Sequence, residues 1–199
     1  MKRNENEFAV VAVGASAGGP SALEQVLSKI PEGLRAAFVI SQHMPNGFTK
    51  AFAERLAEIS KLNVKEAEDG HVIRTGDVLI APAGYNMGIS RGGRIQLRKA
   101  EVTGPSPSID TMMQSVADAY GSRSIGVLLT GMLTDGVVGM KAIKDRGGVT
   151  IVQDEASSVV YGMPKAALEA GAANYVAAIS DIPNKIVIAL TITNGRKNS

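Results

Sequence analysis

The 199-residue chain predicts an α/β fold: a doubly wound, mostly parallel sheet with helices on both faces and an inserted antiparallel β-hairpin region. Apolar runs of strand length such as Ala9-Val10-Val11-Ala12-Val13 are continuous rather than alternating, which suits parallel strands covered on both sides. The stretches between them carry apolar residues at helical spacing, and crossovers of helical length are how parallel neighbours are joined. From Val64 to about Arg98 the rhythm breaks into short apolar pieces between turn signals such as Glu68-Asp69-Gly70, Thr75-Gly76-Asp77 and Arg91-Gly92-Gly93, the texture of hairpins.

Residues 1–7 are polar and read as a loose arm, and 8–13 as the central first strand. Gly14-Ala15-Ser16-Ala17-Gly18-Gly19-Pro20 is a sharp turn into a helix near 20–30, because small residues allow the tight bend. Strand two covers about 36–41, and Phe48, Phe52, Leu56 and Ile59 mark one face of the helix that follows. Beyond the hairpin region, Thr103-Gly104-Pro105-Ser106-Pro107 is a loop, and Ser108 caps a helix from Ile109 to Tyr120. The α/β rhythm then resumes with strand 125–129, loop Thr130 to Gly136, helix 137–146, strand 148–152, loop 153–163 and a helix opened by Pro164. A short run at Asn174–Ala177, a helix near 181–192 and a polar tail from Asn194 complete the pattern.

Hydrophobic residues are 45% and charged residues 20%, near the globular average, and the length suits one domain with a sizeable core. No apolar stretch reaches the length of a bilayer span, and residues 1–7 lack the hydrophobic segment of a signal peptide. The expectation is therefore a cytoplasmic protein without membrane insertion. The absence of cysteine removes a disulfide framework, a thiolate nucleophile and a cysteine-bound zinc site, and no ligand cluster with metal spacing is visible, so no metal and no cofactor are expected. Net charge is +2 with both signs interspersed and aromatics are 4%, so no nucleic-acid surface is indicated.

In open α/β sheets ligands bind beyond the carboxyl ends of the strands, which directs attention to the residues just after each strand. Ser16 follows strand one, His43 follows strand two, and Asp135 lies in the loop after strand 125–129. A serine hydroxyl attacks well only when an imidazole takes its proton, and the imidazole works best when a carboxylate fixes its tautomer. The turn also supplies backbone N–H groups at a helix amino terminus, candidate donors to an oxyanion. Of the two histidines, His71 sits in a predicted turn and reads as a solvated residue. Among the acids, Asp69, Asp77, Asp118, Asp145 and Asp181 fall in turns, helix faces or caps, Asp110 opens a helix, and Asp154 is the serious rival to Asp135.

Two other readings of the glycine-rich turn compete. A dinucleotide-binding turn needs glycine where Ser16 stands and an acid about 20 residues on, at the end of strand two, where this chain has Ser41-Gln42-His43. A turn that merely packs helix on strand would leave His43 and Asp135 without a purpose. The order Ser, His, Asp also departs from the Ser, Asp, His order of α/β-hydrolases, although the elbow motif fits.

Five stretches together resemble the catalytic domain of the CheB chemotaxis protein-glutamate methylesterases: Gly14-Ala15-Ser16-Ala17-Gly18-Gly19, Ser41 to Thr49, Ile80-Ala81-Pro82-Ala83-Gly84, Leu129 to Gly136, and Gln153 to Pro164. The resemblance spans about residues 8–190 in order. It implies hydrolysis of glutamate γ-methyl esters on the cytoplasmic helices of methyl-accepting chemotaxis receptors, with deamidation of receptor glutamines as a further activity. It also implies Ser16 as nucleophile, His43 as general base and Asp135 as the orienting carboxylate. Ala17 stands where the family commonly has threonine, which removes a hydroxyl but keeps a backbone donor, and Met132 matches a position lining the site, giving a backbone N–H or packing against the imidazole. The loop before the helix at 109, often basic in the family, reads Glu101-Val102-Thr103-Gly104-Pro105-Ser106-Pro107. A single catalytic domain over 8–192 with no receiver domain is expected, together with an apolar receptor-facing surface built from Met44, Phe48, Met132, Val159, Tyr161 and Met163.

Overall fold

The run that follows the polar arm forms the strand β1 (Ala9–Ala15), buried along its whole length. The computed structural model describes residues 8–101 and 106–195; the arm expected over 1–7, residues 103–105 of the expected loop and residues 196–199 of the expected tail lie outside the described residues. After β1 come α1 (Gly19–Leu27), β2 (Ala36–Gln42), α2 (Thr49–Ile59), β3 (Asn63–Glu66), β4 (Asp77–Ile80), β5 (Tyr85–Ile89) and β6 (Ile95–Lys99). The second half holds α3 (Ile109–Tyr120), a 3-10 turn at Gly121–Arg123, β7 (Ser124–Leu128), α4 (Val137–Asp145), β8 (Val149–Gln153), α5 (Met163–Glu169), β9 (Tyr175–Ala177) and α6 (Ile182–Gly195).

The main sheet has seven strands in the order β3-β4-β2-β1-β7-β8-β9, with every neighbouring pair parallel. Val10 of β1 pairs with Ala37 of β2 on one side and with Ser124 of β7 on the other. Because side chains alternate across a strand, β1 feeds two cores. Ala9, Val11, Val13 and Ala15 join α1, α2 and α6 on one face. Val10 and Ala12 join α3, α4, α5 and the β5–β6 hairpin on the other. The chain steps outward from β1 through β2, then returns to the other side of β1 at β7 and steps outward again. That reversal leaves a crevice at the carboxyl ends of β1 and β7, the place where such sheets bind ligands.

The hairpin region differs from expectation in one respect. Asn63–Glu66 and Asp77–Ile80 are parallel members of the main sheet, and only β5 and β6 form a separate antiparallel pair. β3 is an edge strand that buries Val64 alone, and β4 is four residues long, so neither presents the long apolar run that marks a central strand. The hairpin is tied to α3 by two side chains: Asn86 Oδ1 accepts from Ser108 N at 2.9 Å and Ser115 Oγ accepts from Ile89 N at 3.0 Å. Ser108 caps α3 as expected, accepting from Thr111 N at 3.2 Å.

The expectation of a solvated turn for His71 and Asp77 is also corrected. Asp77 is buried, and its carboxylate accepts from Asn63 Nδ2 at 2.9 Å, His71 Nε2 at 3.1 Å and Arg74 N at 3.0 Å. Burial alone would raise this carboxyl, but the Asn63, His71 and Arg74 hydrogen bonds outweigh it and hold Asp77 below the usual aspartate value.

Candidate active site

Ser16 is the first residue beyond β1, and its N–H donates to Thr130 O at 3.0 Å, which fastens the turn to the end of β7. His43 is the first residue beyond β2, and its N–H donates to Ala15 O at 3.0 Å. Since Ala15 pairs with Gln42, the two residues leave adjacent strands side by side. The turn closes with Gly18 at φ 79°, and Gly19 N donates to Ser16 O at 2.8 Å to begin α1.

His43 Nε2 lies 2.8 Å from Asp135 Oδ2. Asp135 reaches it from the β7–α4 loop and is itself gripped by the amino terminus of α3, accepting from Ile109 N at 2.8 Å and Asp110 N at 3.0 Å. Burial pushes this carboxyl up, but the bonds from His43, Ile109 and Asp110 more than offset it and hold it below the usual aspartate value. An ionised carboxylate can only accept, so Nε2 carries the hydrogen and Nδ1 is left with the lone pair. The general serine-protease arrangement has the opposite assignment of the two ring nitrogens.

The rival acids have other partners. Asp154 Oδ1 accepts from Ser157 N at 3.0 Å and Ser157 Oγ at 2.5 Å, capping the turn of the 153–163 loop. Asp110 Oδ1 accepts from Gly139 N at 2.7 Å and so joins α3 to α4. Burial and then the nearby Asp135 charge raise its carboxyl above the usual value. Ala17 heads the helix turn, with its carbonyl accepting from Thr130 Oγ1 at 2.9 Å. Met132 is 57% exposed on the β7–α4 loop, and Phe48 and Val159 are exposed as well. Met163 does not belong to that surface: it is fully buried beneath Gly131, where an added Cβ would meet Met163 Sδ at 2.3 Å and Ser16 Cβ at 2.7 Å. Met44 is half-buried against the core of α1 and α2, and Tyr161 is also half-buried.

Several site residues carried no signal in the sequence. The buried Thr130 hydroxyl accepts from Val160 N at 2.9 Å, and the buried Gln153 amide accepts from Thr130 N at 2.8 Å and donates to Ser157 O at 2.8 Å. Together they lash the 153–162 loop to the Ser16 turn. Leu133 has φ 67°, a left-handed conformation that a leucine holds only when its surroundings impose it. A groove of about 820 Å³ runs from His43, Leu133 and Asp135 past Ser108 and Thr111 to Arg98. Among the described residues no group of three or more His, Cys, Asp or Glu side chains is placed to hold a metal ion, and no helix is long and apolar enough to cross a membrane.

A family model described as CheB methylesterase matches residues 11–186. The chain belongs to the CheB methylesterase family. It is 44% identical over 192 residues to the protein-glutamate methylesterase/protein-glutamine glutaminase of Pyrococcus abyssi, covering 94% of this chain and 52% of that protein. The Moorella thermoacetica protein of the same name is 50% identical over 187 residues, covering 92% of this chain and 44% of that one. The chain thus spans about half the length of these relatives. The crystal structure of the Thermotoga maritima CheB methylesterase catalytic domain superposes with a TM-score of 0.87 at 39% identity, covering 91% of this chain and 98% of that chain. Ser16, His43 and Asp135 all fall inside the stretch that the CheB methylesterase model matches.

Proposed function

We propose that residues 8–192 form a methylesterase domain that acts in the cytoplasm on the helices of methyl-accepting chemotaxis receptors, hydrolysing glutamate γ-methyl esters and, as a second reaction, glutamine side-chain amides. The observation that carries this reading is the 2.8 Å bond between His43 Nε2 and Asp135 Oδ2 at the strand end next to Ser16.

Ser16 Oγ attacks the ester carbonyl carbon while His43 Nδ1 takes the hydroxyl proton. Asp135 stabilises the resulting imidazolium through Nε2–H. The carbonyl oxygen becomes an oxyanion, for which the backbone N–H groups of Ala17 and Met132 are the donors. Collapse of the tetrahedral adduct breaks the bond to the methoxy oxygen, which leaves as methanol with the proton from His43. Water then attacks the acyl-enzyme, His43 takes one of its protons, and the second collapse returns that proton to Ser16 and releases the glutamate γ-carboxylic acid, which gives its proton to solvent. For a glutamine substrate the leaving group is ammonia.

The test is methanol release from methylated receptor, together with covalent labelling by a fluorophosphonate. Labelling located at Ser16, and loss of both signals in Ser16→Ala, are the expected results. Methanol release that persists in Ser16→Ala at more than about a tenth of the original rate contradicts the assignment, because loss of the nucleophile costs orders of magnitude more.

A further inference from the structure

We propose that Gln42 is a positioning residue that locks the spacing between Ser16 and His43, an inference that rests on reading those two as nucleophile and base. Gln42 ends β2 and is buried, and its Nε2 donates to two backbone carbonyls, Ser16 O at 2.9 Å and His43 O at 2.9 Å. One nitrogen therefore holds the carbonyls of the two residues that must react together, and those oxygens can stand no further apart than twice that distance. The β1–β2 ladder does not do this. Its last rung is Ala15 with Gln42, plus the bond from His43 N to Ala15 O, and beyond it one chain turns into α1 while the other leaves toward α2. The peptide planes at Ser16 and His43 set the directions of their side chains, and the Gln42 amide is what ties both planes to one point.

The cost of this arrangement is visible at the other end of the same side chain. Gln42 Oε1 is buried and accepts no hydrogen bond from the described residues. An unpaired buried acceptor is destabilising, a cost that an apolar side chain of the same size would not carry. Gly19 is part of the same device, since a Cβ there would stand 1.9 Å from Gln42 Oε1. The helix opens on a glycine, a poor helix former, where the amide needs the room.

Two variants test the proposal. Gln42→Met keeps the volume and removes both donors. It is expected to lower kcat for methanol release about 10- to 100-fold, the scale on which small misplacements of reacting groups act, with KM changed less than about twofold. The rate of fluorophosphonate labelling at Ser16 should fall in parallel. Gln42→Glu can donate only while protonated, so its kcat relative to the unsubstituted protein should fall as pH rises. A mere space-filling role leaves that ratio flat, and a through-space effect of the new charge on the imidazole makes it climb. A Gln42→Met kcat within twofold of the original, or a ratio for Gln42→Glu that is flat or climbing, overturns the proposal. So does failure of both variants to fold, which would make Gln42 a folding determinant. If Ser16 in the unsubstituted protein does not label, the functional reading itself fails; if it labels and Gln42→Met turns over normally, only the positioning role does.

Discussion

Ser16→Ala should leave the fold intact and reduce methanol release by about 10⁴- to 10⁶-fold, since the turn already holds alanine on either side of it. The paired comparison of Asp135→Asn with Asp154→Asn is sharper. An amide at 135 must turn its NH₂ either toward His43 and Ile109 N, which now share Oδ2, or toward Asp110 N, which now bonds Oδ1. Facing His43, it would donate to Nε2 and leave the hydrogen on Nδ1, where Ser16 needs a lone pair; a loss of about 10⁴ in kcat is expected from such a tautomer error. Asp154→Asn only disturbs the cap of a loop turn and should cost less than about tenfold, measured under the same conditions. The three residues of the proposed mechanism were legible because each follows a strand end and histidine is scarce. Gln42, Thr130 and Gln153 were not, because a polar side chain at a strand end looks like a surface residue until the fold buries it and gives it backbone partners.

Among the elements, those buried on both faces could be read from composition alone. β1, β2, β7 and β8 are wholly buried, so their runs are mainly apolar, with Thr150 the one polar residue in the interior of β8. β3 could not, since an edge strand with one buried side chain has the texture of a hairpin arm. The loop at 153–162 owes its place to the Thr130 hydroxyl, which accepts from Val160 N and bonds to the carbonyl of Ala17. Thr130→Val keeps the shape and strands a half-buried N–H and a carbonyl, which costs about 1–3 kcal/mol. For a chain of this size that lowers Tm by several degrees, which calorimetry would detect. Because the loop and the Ser16 turn share this hydroxyl, kcat should fall as well. An unchanged kcat with lowered Tm would mean that the loop matters only to stability.

Across the whole molecule, buried Asp77 and Asp135 and half-buried Asp110 make its acid stability a test of the architecture, since Asp77 lies far along the chain from the other two. Asp77 opens β4 at one end, while Asp135 lies beyond the carboxyl end of β7 at the other, and both carboxyls are held below their ordinary value. A depressed folded value means that the unfolded chain binds more protons as pH drops. The stability these two contribute is therefore complete above the unfolded value of about 3.9 and is lost as pH falls through the folded values. Asp110 has the opposite sign: its raised carboxyl contributes stability at low pH that is lost as pH rises through the raised value. Tm measured between about pH 3 and pH 7 should accordingly fall less steeply on acidification in Asp77→Asn than in the unsubstituted protein. In Asp110→Asn it should fall more steeply, because an opposing contribution is gone while the Asn oxygen still accepts from Gly139 N. The double variant should show the sum of the two changes, as expected for sites with no shared partner. If Asp77→Asn leaves the acid limb of the Tm curve unchanged, the carboxylate at the start of β4 is not the clamp on that edge of the sheet that its three hydrogen bonds indicate.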